Sequence, residues 1–393
     1  MDNKKIDIIS KYFSPANAGI EVNITETYKI LAEIGWDITV HTSKDTLTES
    51  NVLPDTDRIF GMEVKRYKFG KFGYFPKINW DKTDLVCFHN FNVFFFFVLM
   101  YIGARKLFGR KKFGVILTPH GGFNPEWSIY PKIMVFIKKT YHFTVGTFLL
   151  NFVVDKIRAV SNWERNEIIS KGVNSNKVLT ISNGLEDDAY KDLEKLASKD
   201  IKNKVKKLGR YIIQIGRIYI IKNYETVIKS MVYIPSDIKF VIAGGVEGNN
   251  EYLNKLKKLA KELGLLDRII FIGVIRGIDK YYLIKNAQMM VHMAIWESFC
   301  NVVHEGMSQG LVCLVANNTA LPLLIKNGIN GYCVETKDHK TLAKKINYVL
   351  ENKNHQVVRD MCKRNKKFGL EESWTSVAEK MNMMYLDIVS KNK

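Results

Sequence analysis

The amino-acid sequence predicts an α/β chain folded as two domains, each built on a mostly parallel sheet with helices on its faces. Three observations carry that expectation. Short Ile- and Val-rich runs recur along the chain and read as strands buried on both faces. Between them lie longer stretches whose apolar residues fall at helical spacing, so the pattern repeats as strand, loop, helix, strand. A charged stretch over 186–208, with Lys202, Lys204, Lys206 and Lys207 clustered, separates one series of these units from the next. It divides the 393 residues into two domains of ordinary size, a first over 1–185 and a second over 209–372, with 186–208 as the connection, part of it helix.

The first domain opens with a buried strand over 5–10. A loop over 11–21 leads to a helix over 22–34, where Ile24, Tyr28, Leu31 and Ile34 share a face and Gly35 ends the run. Strands follow at 37–42, 62–68 and 84–89. The loop after Pro54 carries Asp55-Thr56-Asp57. Such a pair can hold a divalent metal on a nucleotide, but this one lies in a polar loop with no buried strand before it, so no metal is expected there. The run over 93–104, VFFFFVLMYIGA, falls short of the roughly 20 residues a spanning helix needs. It reads as a buried helix, with contact to a membrane surface as the alternative. A strand at 114–118 ends in Pro119-His120-Gly121-Gly122, and one long amphipathic helix is expected from 124 to 150. His120 thus stands at the carboxyl end of a strand, where ligands of open α/β sheets bind. A strand at 156–160 precedes Ser161, an N-cap with Glu164 three residues on, for a helix to 172. A strand at 177–181 closes at Ser182-Asn183-Gly184.

The second domain opens with a strand over 210–215. Arg217 and Lys222 follow on its carboxyl-end loop, two cations five residues apart and suited to a diphosphate. A helix over 224–231, a strand over 240–243, the turn Gly244-Gly245, a helix over 252–263 and a strand over 269–272 come next, the last ending in Gly273-Val274. A helix over 278–285 and a strand over 287–292 lead to WESFCNVVHEGMSQG, residues 296–310. Here Glu297 lies on a loop and Glu305 about two turns into a helix whose body spans 302–309. The backbone N–H groups near Asn301, Val302 and Val303 would face a phosphate at the helix N-terminus. Solvated glutamates on an amphipathic helix are the plainer reading of this stretch. A strand at 311–316, a turn at 327–332, helices over 339–351 and 355–368, and an amphipathic helix over 373–388 complete the chain.

Glu297, Phe299, Glu305, Gly306 and Gly310, followed by an apolar strand, resemble the signature of the retaining glycosyltransferases of family 4, which is Glu, seven residues, Glu. The Gly-Arg…Lys-Asn spacing of Gly216, Arg217, Lys222 and Asn223 is a second hallmark of that family. The resemblance covers most of the chain, most strongly over 210–335. It implies the GT-B fold: two Rossmann-like α/β/α domains facing across a cleft, with a C-terminal helix at 373–393 crossing back to the first. It implies transfer of a sugar from a nucleotide-diphosphate sugar to an acceptor hydroxyl. In that scheme Arg217, Lys222, Gly19 and the Asn301–Val303 backbone hold the donor diphosphate, Glu305 the ribose and the Gly273–Val274 backbone the base. Glu297 and His120 contact the donor sugar, and the acceptor binds the first domain near Gly19 and His120. Departures stand at Ala18 and Cys300, where the family has Gly, at Gly306 (Ala), at Ser182 (Pro) and at Leu323 (Glu).

The net charge of +19 favours anionic partners. Lys106, Arg110, Lys111, Lys112, Lys132 and Lys138 interleave with Phe108, Phe113, Ile133, Val135, Phe136 and Ile137, with only Glu126 opposing. Such a surface suits an anionic bilayer or is simply a solvated basic face. No helix-turn-helix, KH, RRM or zinc pattern points to nucleic acid. Five scattered cysteines without a CxxC fit a reducing compartment, and the start MDNKKIDIIS shows no apolar leader. The expectation is a cytoplasmic enzyme, peripheral on the inner face of the membrane, that builds surface polysaccharide on a glycan or lipid-linked acceptor and uses no metal or other cofactor. Two rivals are a nucleotide-sugar 2-epimerase of the same architecture and a non-catalytic basic binder of membranes or nucleic acid. The absence of G-x-G-x-x-G and Walker patterns argues against dehydrogenases and NTPases.

Overall fold

In a computed structural model of the protein, which describes residues 4–16, 18–45, 53–71, 73–91, 93–246 and 248–392, the Ile- and Val-rich runs form two sheets in two separate units. Unit 1 comprises Met1–Gly184 with Trp374–Lys393, and unit 2 comprises Leu185–Ser373. Residues 1–3 of the opening stretch lie outside the described residues.

Unit 1 contains β1 (Lys5–Ile9), α1 (Gly19–Glu33), β2 (Asp37–Ser43), β3 (Thr56–Ile59), β4 (Met62–Tyr67), β5 (Leu85–His89), α2 (Phe96–Leu107), β6 (Gly114–Thr118), α3 (Lys132–Tyr141), α4 (Thr147–Val153), β7 (Lys156–Ala159), α5 (Asn162–Ser170) and β8 (Val178–Thr180). The sheet order is β3-β4-β2-β1-β5-β6-β7-β8. All neighbours are parallel except β3 with β4. The order reverses between β1 and β5, which is where a ligand is expected on a sheet of this kind.

Three local expectations change. Residues 55–57 are not a plain loop, because Thr56–Ile59 pairs with β4 as an antiparallel edge strand. Asp57 pairs with Arg66 and Asp55 with Lys44, so both carboxylates already have cations. The helix expected from 124 to 150 is broken. Pro131 starts α3 afresh, and His142–Gly146 is a π-bulge in which the Thr144 and Thr147 hydroxyls donate to backbone carbonyls one turn back. The apolar run near 93–104 is half buried: Val98, Leu99 and Ile102 pack inward while Phe97, Met100 and Leu107 are exposed.

Unit 2 contains α6 (Leu193–Leu196), α7 (Lys199–Leu208), β9 (Tyr211–Ile215), α8 (Tyr224–Ser230), β10 (Lys239–Ala243), α9 (Glu251–Glu262), β11 (Ile269–Gly273), α10 (Gly277–Lys285), β12 (Met290–His292), α11 (Asn301–Ser308), β13 (Cys313–Ala316), α12 (Leu321–Leu324), β14 (Gly331–Val334), α13 (His339–Glu351) and α14 (Gln356–Gly369). Its parallel sheet runs β11-β10-β9-β12-β13-β14, and the order reverses between β9 and β12. The stretch over 186–208 is not a free connection. Leu193, Ala197, Ile201 and Leu208 are buried, and α6 and α7 pack on α10 within this unit. The lysines of the stretch ride on the outer face of that amphipathic turn.

The final helix, α15 (Trp374–Asn392), returns to unit 1. Trp374, Val377, Met381, Tyr385 and Ile388 join Ile24, Tyr28 and Leu31 of α1 in one core. No helix among the described residues is long and apolar enough to cross a membrane.

Candidate active site

The reversal between β9 and β12 places the loops that follow these two strands side by side, and both bring charge. After β9, Asn223 takes a left-handed backbone at φ 50°, and its Nδ2 donates to the Met293 carbonyl at 2.8 Å. Gln214 Nε2 donates to the Lys222 carbonyl at 2.8 Å. Fixed this way, Lys222 directs its ammonium at Glu297 Oε1, 2.5 Å away. His292, the last residue of β12, brings Nε2 to the same oxygen at 2.8 Å, where it must carry the proton.

Burial pushes the Glu297 carboxyl up, but Lys222 and His292 outweigh it and hold the group at about 2. At neutral pH Glu297 is therefore a carboxylate with no proton to give. Its backbone is fixed as well. The Glu297 N–H donates to Thr319 Oγ1 at 3.1 Å, and the Ala320 N–H donates to the Glu297 carbonyl at 3.3 Å. Arg217 sits exposed on the β9 loop, which the Tyr224 hydroxyl anchors by donating to the Gly216 carbonyl at 2.7 Å.

Cys300 caps the eight-residue α11 with φ 82°, a left-handed backbone that glycine adopts most easily. Its carbonyl accepts from both the Val303 and the His304 N–H groups, at 3.2 and 3.3 Å. Val303 therefore drops out of the three backbone donors expected to face a phosphate, because its N–H closes the first turn of the helix. Asn301 and Val302 precede it. Gly306 has its own explanation: a Cβ there would lie 2.7 Å from Met290 Sδ, so the thioether on β12 fills the space an alanine methyl would need.

One turn beyond α11's start, Glu305 is buried. Its Oε1 accepts from Lys280 Nζ at 3.0 Å, and the same ammonium donates to Glu186 Oε2 at 2.8 Å. Burial presses Lys280 toward neutrality, but the two carboxylates keep it charged. Burial raises Glu305 above the usual carboxyl range, and Glu186 adds to this against the pull of Lys280. Among the described residues, Glu305 Oε2 is buried with no hydrogen-bond partner. Gly273, at φ 76°, ends β11, and Val274 beside it is 54% exposed.

His120 and Gly19 belong to unit 1. Gly19 is the first residue of α1, which starts three residues earlier than its apolar spacing suggests. His120 follows β6 with φ 51°. Its Nε2 meets His89 Nδ1 at 2.9 Å, His89 Nε2 meets the Tyr28 hydroxyl at 3.0 Å, and Tyr28 meets Tyr385 at 2.7 Å. The neighbouring Gly121 N–H donates to Glu164, whose other oxygen accepts from the Val160 N–H at 2.7 Å. Burial lowers His89 to about 3 and His120 well below its usual value, so both rings are neutral near pH 7.

Sequence reasoning missed His292, Thr319 and Lys280. His292 carried a signal, a histidine ending a strand five residues before Glu297. Thr319 and Lys280 carried none, since they reach the glutamates only through tertiary packing. Among the described residues, His292, Glu297 and Cys300 offer ligand atoms within 4.8 Å of one another, and the Lys222 ammonium already occupies the shared carboxylate oxygen.

The family description Glycosyl transferases group 1 matches residues 197–368, and Glycosyltransferase Family 4 matches residues 18–189. An uncharacterized glycosyltransferase of Methanocaldococcus jannaschii is 24% identical over 374 residues, covering 89% of this chain and 90% of its own. A UDP-Gal:alpha-D-GlcNAc-diphosphoundecaprenol alpha-1,3-galactosyltransferase of Escherichia coli is 26% identical over 226 residues, 54% of this chain and 55% of that one. Among solved structures, Anabaena Alr3699/HepE in complex with UDP is similar at a TM-score of 0.76 and 16% identity, over 98% of this chain and 100% of that chain. Sucrose-phosphate synthase from Thermosynechococcus elongatus gives 0.78 and 18% identity, over 99% and 100%. These structural likenesses establish the architecture as GT-B. With one matched span falling in each half and the paired glutamates on the loop and helix that follow β12, the chain belongs to the family 4 glycosyltransferases and is an enzyme of that class.

Proposed function

We propose that the protein transfers a sugar, with retention at the anomeric carbon, from a nucleotide-diphosphate sugar to a hydroxyl of a lipid-linked glycan during surface polysaccharide synthesis. Unit 2 takes the donor and unit 1 the acceptor. The observation that carries this reading is the convergence of Lys222 and His292 on one oxygen of Glu297, on the same strand-end loops as Arg217 and the N-terminus of α11. Bond breaking leaves negative charge on the departing nucleotide diphosphate and positive charge on the sugar ring. Lys222, Arg217 and the Asn301 and Val302 N–H groups answer the first, so departure needs no metal. The ionised Glu297 answers the second and accepts a hydrogen bond from the sugar.

Glu305 Oε2, buried and without a partner among the described residues, accepts from a ribose hydroxyl. The Gly273–Val274 backbone takes the base. Gly19 and His120, the latter neutral and held by His89, border the acceptor in unit 1. The E. coli relative, named for transfer of galactose to GlcNAc-diphosphoundecaprenol, supports a lipid-linked acceptor. The Anabaena structure in complex with UDP-glucose supports a nucleotide-diphosphate donor. On α3, Ile133 and Phe136 are 68% and 69% exposed, Lys132 and Lys139 flank them, and no carboxylate occurs over 127–154. That face supports peripheral contact with an anionic bilayer on the cytoplasmic side.

The test is a panel of nucleotide-diphosphate sugars incubated with and without a bacterial lipid extract, with products read by mass spectrometry. Sugar transfer to a lipid, lost in Glu297→Gln, is expected. Conversion of a donor into its epimer without acceptor would move the protein to the isomerases. Inertness toward every donor would remove the reading.

A further inference from the structure

The sheet of unit 1 has its own strand-order reversal, between β1 and β5, and an unneutralised pair of cations stands there. Lys11 follows β1 directly. Its ammonium lies over three rings, 4.8 Å from the centroid of Tyr12, 4.6 Å from Phe69 and 5.3 Å from Phe94, the last just beyond β5. The backbone beneath it is pinned, since the Lys11 carbonyl accepts from the Ser43 N–H at 3.1 Å and from Thr42 Oγ1 at 3.2 Å. The second cation comes from α3. Tyr141 packs its ring 5.9 Å from Phe91 and 6.0 Å from Phe96, which lays the inner face of α3 over the end of β5. Lys138, one turn earlier on that face, is half buried while Ile137 and Lys139 beside it are exposed. Its ammonium sits 4.4 Å from the centroid of Tyr130.

Neither lysine has an ion-pair partner among the described residues. Burial and the nearby Lys11 charge both press Lys138 toward neutrality. Ring faces soften the cost of holding two ammonium groups here, but they do not neutralise the charge. Among the described residues the Tyr141 hydroxyl, one turn along α3 from Lys138, is also buried with no hydrogen-bond partner. Two cations without carboxylate partners at a strand-order reversal suit an oxyanion of high charge.

We propose that the β1/β5 end of unit 1 binds a phosphate or diphosphate carried by the acceptor, held by Lys11 and Lys138. The inference rests on the reading that unit 1 takes the acceptor, and it deepens that reading. The acceptor is recognised by the charged link between glycan and lipid and not by its sugar alone. The aromatic rings around Lys11 give the first apolar carbons of the lipid a surface to lie on.

The probe is farnesyl diphosphate, with farnesol and inorganic pyrophosphate as comparisons, titrated by tryptophan fluorescence into the full chain. Farnesyl diphosphate should bind and farnesol should not compete. Pyrophosphate should compete, which separates the shared phosphate chemistry from the lipid. Lys11→Met and Lys138→Met, which keep the aliphatic stems, should each weaken binding about tenfold or more, and Lys11→Arg should restore it. Arg217→Ala, on the nucleotide side, should leave it unchanged.

Equal binding to wild type and both Met variants, equal competition by farnesol, or loss of binding in Arg217→Ala would overturn the proposal. Lys138 lies on the surface of α3, so its variant keeps the test decisive if Lys11→Met does not fold. Turnover of activated sugars in the same preparations keeps the two readings apart. If it persists while the lysine variants bind normally, only this inference fails. If it is absent in wild type, the transferase reading fails by itself.

Discussion

Removing the Lys222 ammonium is the sharpest perturbation of the site, because that one group both holds Glu297 ionised and faces the proposed leaving group. The fall of the Glu297 carboxyl from its ordinary 4.5 to about 2 corresponds to about 3 kcal/mol of stability. The group's value is depressed in the folded state. Its contribution is therefore complete above the unfolded value and is lost as pH falls toward about 2. The Lys222 charge is the largest single influence lowering the Glu297 carboxyl, and the His292 hydrogen bond comes next. In Lys222→Met the buried carboxylate keeps one partner, and the loss at pH 7 should be about 2 kcal/mol in urea titrations. The same substitution in a Glu297→Gln background should cost at least about 1 kcal/mol less, since the charge it stabilises is gone. Turnover should drop about 100-fold to 1,000-fold, mostly in kcat, because the charge that Lys222 meets develops as the diphosphate leaves. A Lys222→Met protein with wild-type stability at pH 7 and turnover within about twofold would refute both parts of the reasoning.

Gly306→Ala should destabilise by about 1 kcal/mol, since the clash with Met290 outweighs the gain in helix propensity. In a Met290→Val background the same change should be neutral or stabilising in thermal melts. Cys300→Gly should stay within about 1 kcal/mol of wild type, because relief of the left-handed backbone offsets the lost thiol burial, whereas Cys300→Val should lose about 2 kcal/mol or more and disturb the start of α11. Burial lowers His142 and His304 to about 4, so each adds stability that is complete above pH 6.5 and is lost as pH falls from there toward 4, by about 3 kcal/mol at most. His304→Gln should therefore lose less stability than wild type between pH 7 and 5 in urea titrations. Ile133→Glu with Phe136→Glu should abolish sedimentation with anionic vesicles and leave the melting temperature unchanged, as both side chains are exposed.

The strands at the centre of both sheets were legible because a strand covered on both faces is apolar at most positions, as in KIDII and YIIQI, whose buried Asp7 and Gln214 find partners in His41 Nε2 and the Lys222 carbonyl. The paired glutamates and the Arg217–Lys222 loop were legible because their spacing sits between recognisable strands. What escaped depends on tertiary contact. The edge strand Thr56–Ile59 is polar and exposed, so it carries no burial signal. The long helix expected after His120 hid a proline start and a π-bulge, and both obey hydroxyl and backbone geometry that apolar spacing does not report. The stretch over 186–208 looked like a connection because its few apolar residues are diluted by lysines, yet those few suffice to dock α6 and α7 on α10. The bridging of Glu186 and Glu305 by Lys280 joins positions 94 and 25 residues away from it, beyond the reach of local pattern.

Calorimetric titration with a panel of nucleotide-diphosphate sugars and the matching sugar 1-phosphates goes most directly to the claim that unit 2 grips an activated donor by its diphosphate and ribose. The account predicts that one nucleotide-diphosphate sugar binds the wild-type protein and binds Arg217→Ala and Glu305→Gln at least about tenfold more weakly, while no sugar 1-phosphate competes. Affinity untouched by both substitutions, or a protein that binds none of the panel, would contradict it.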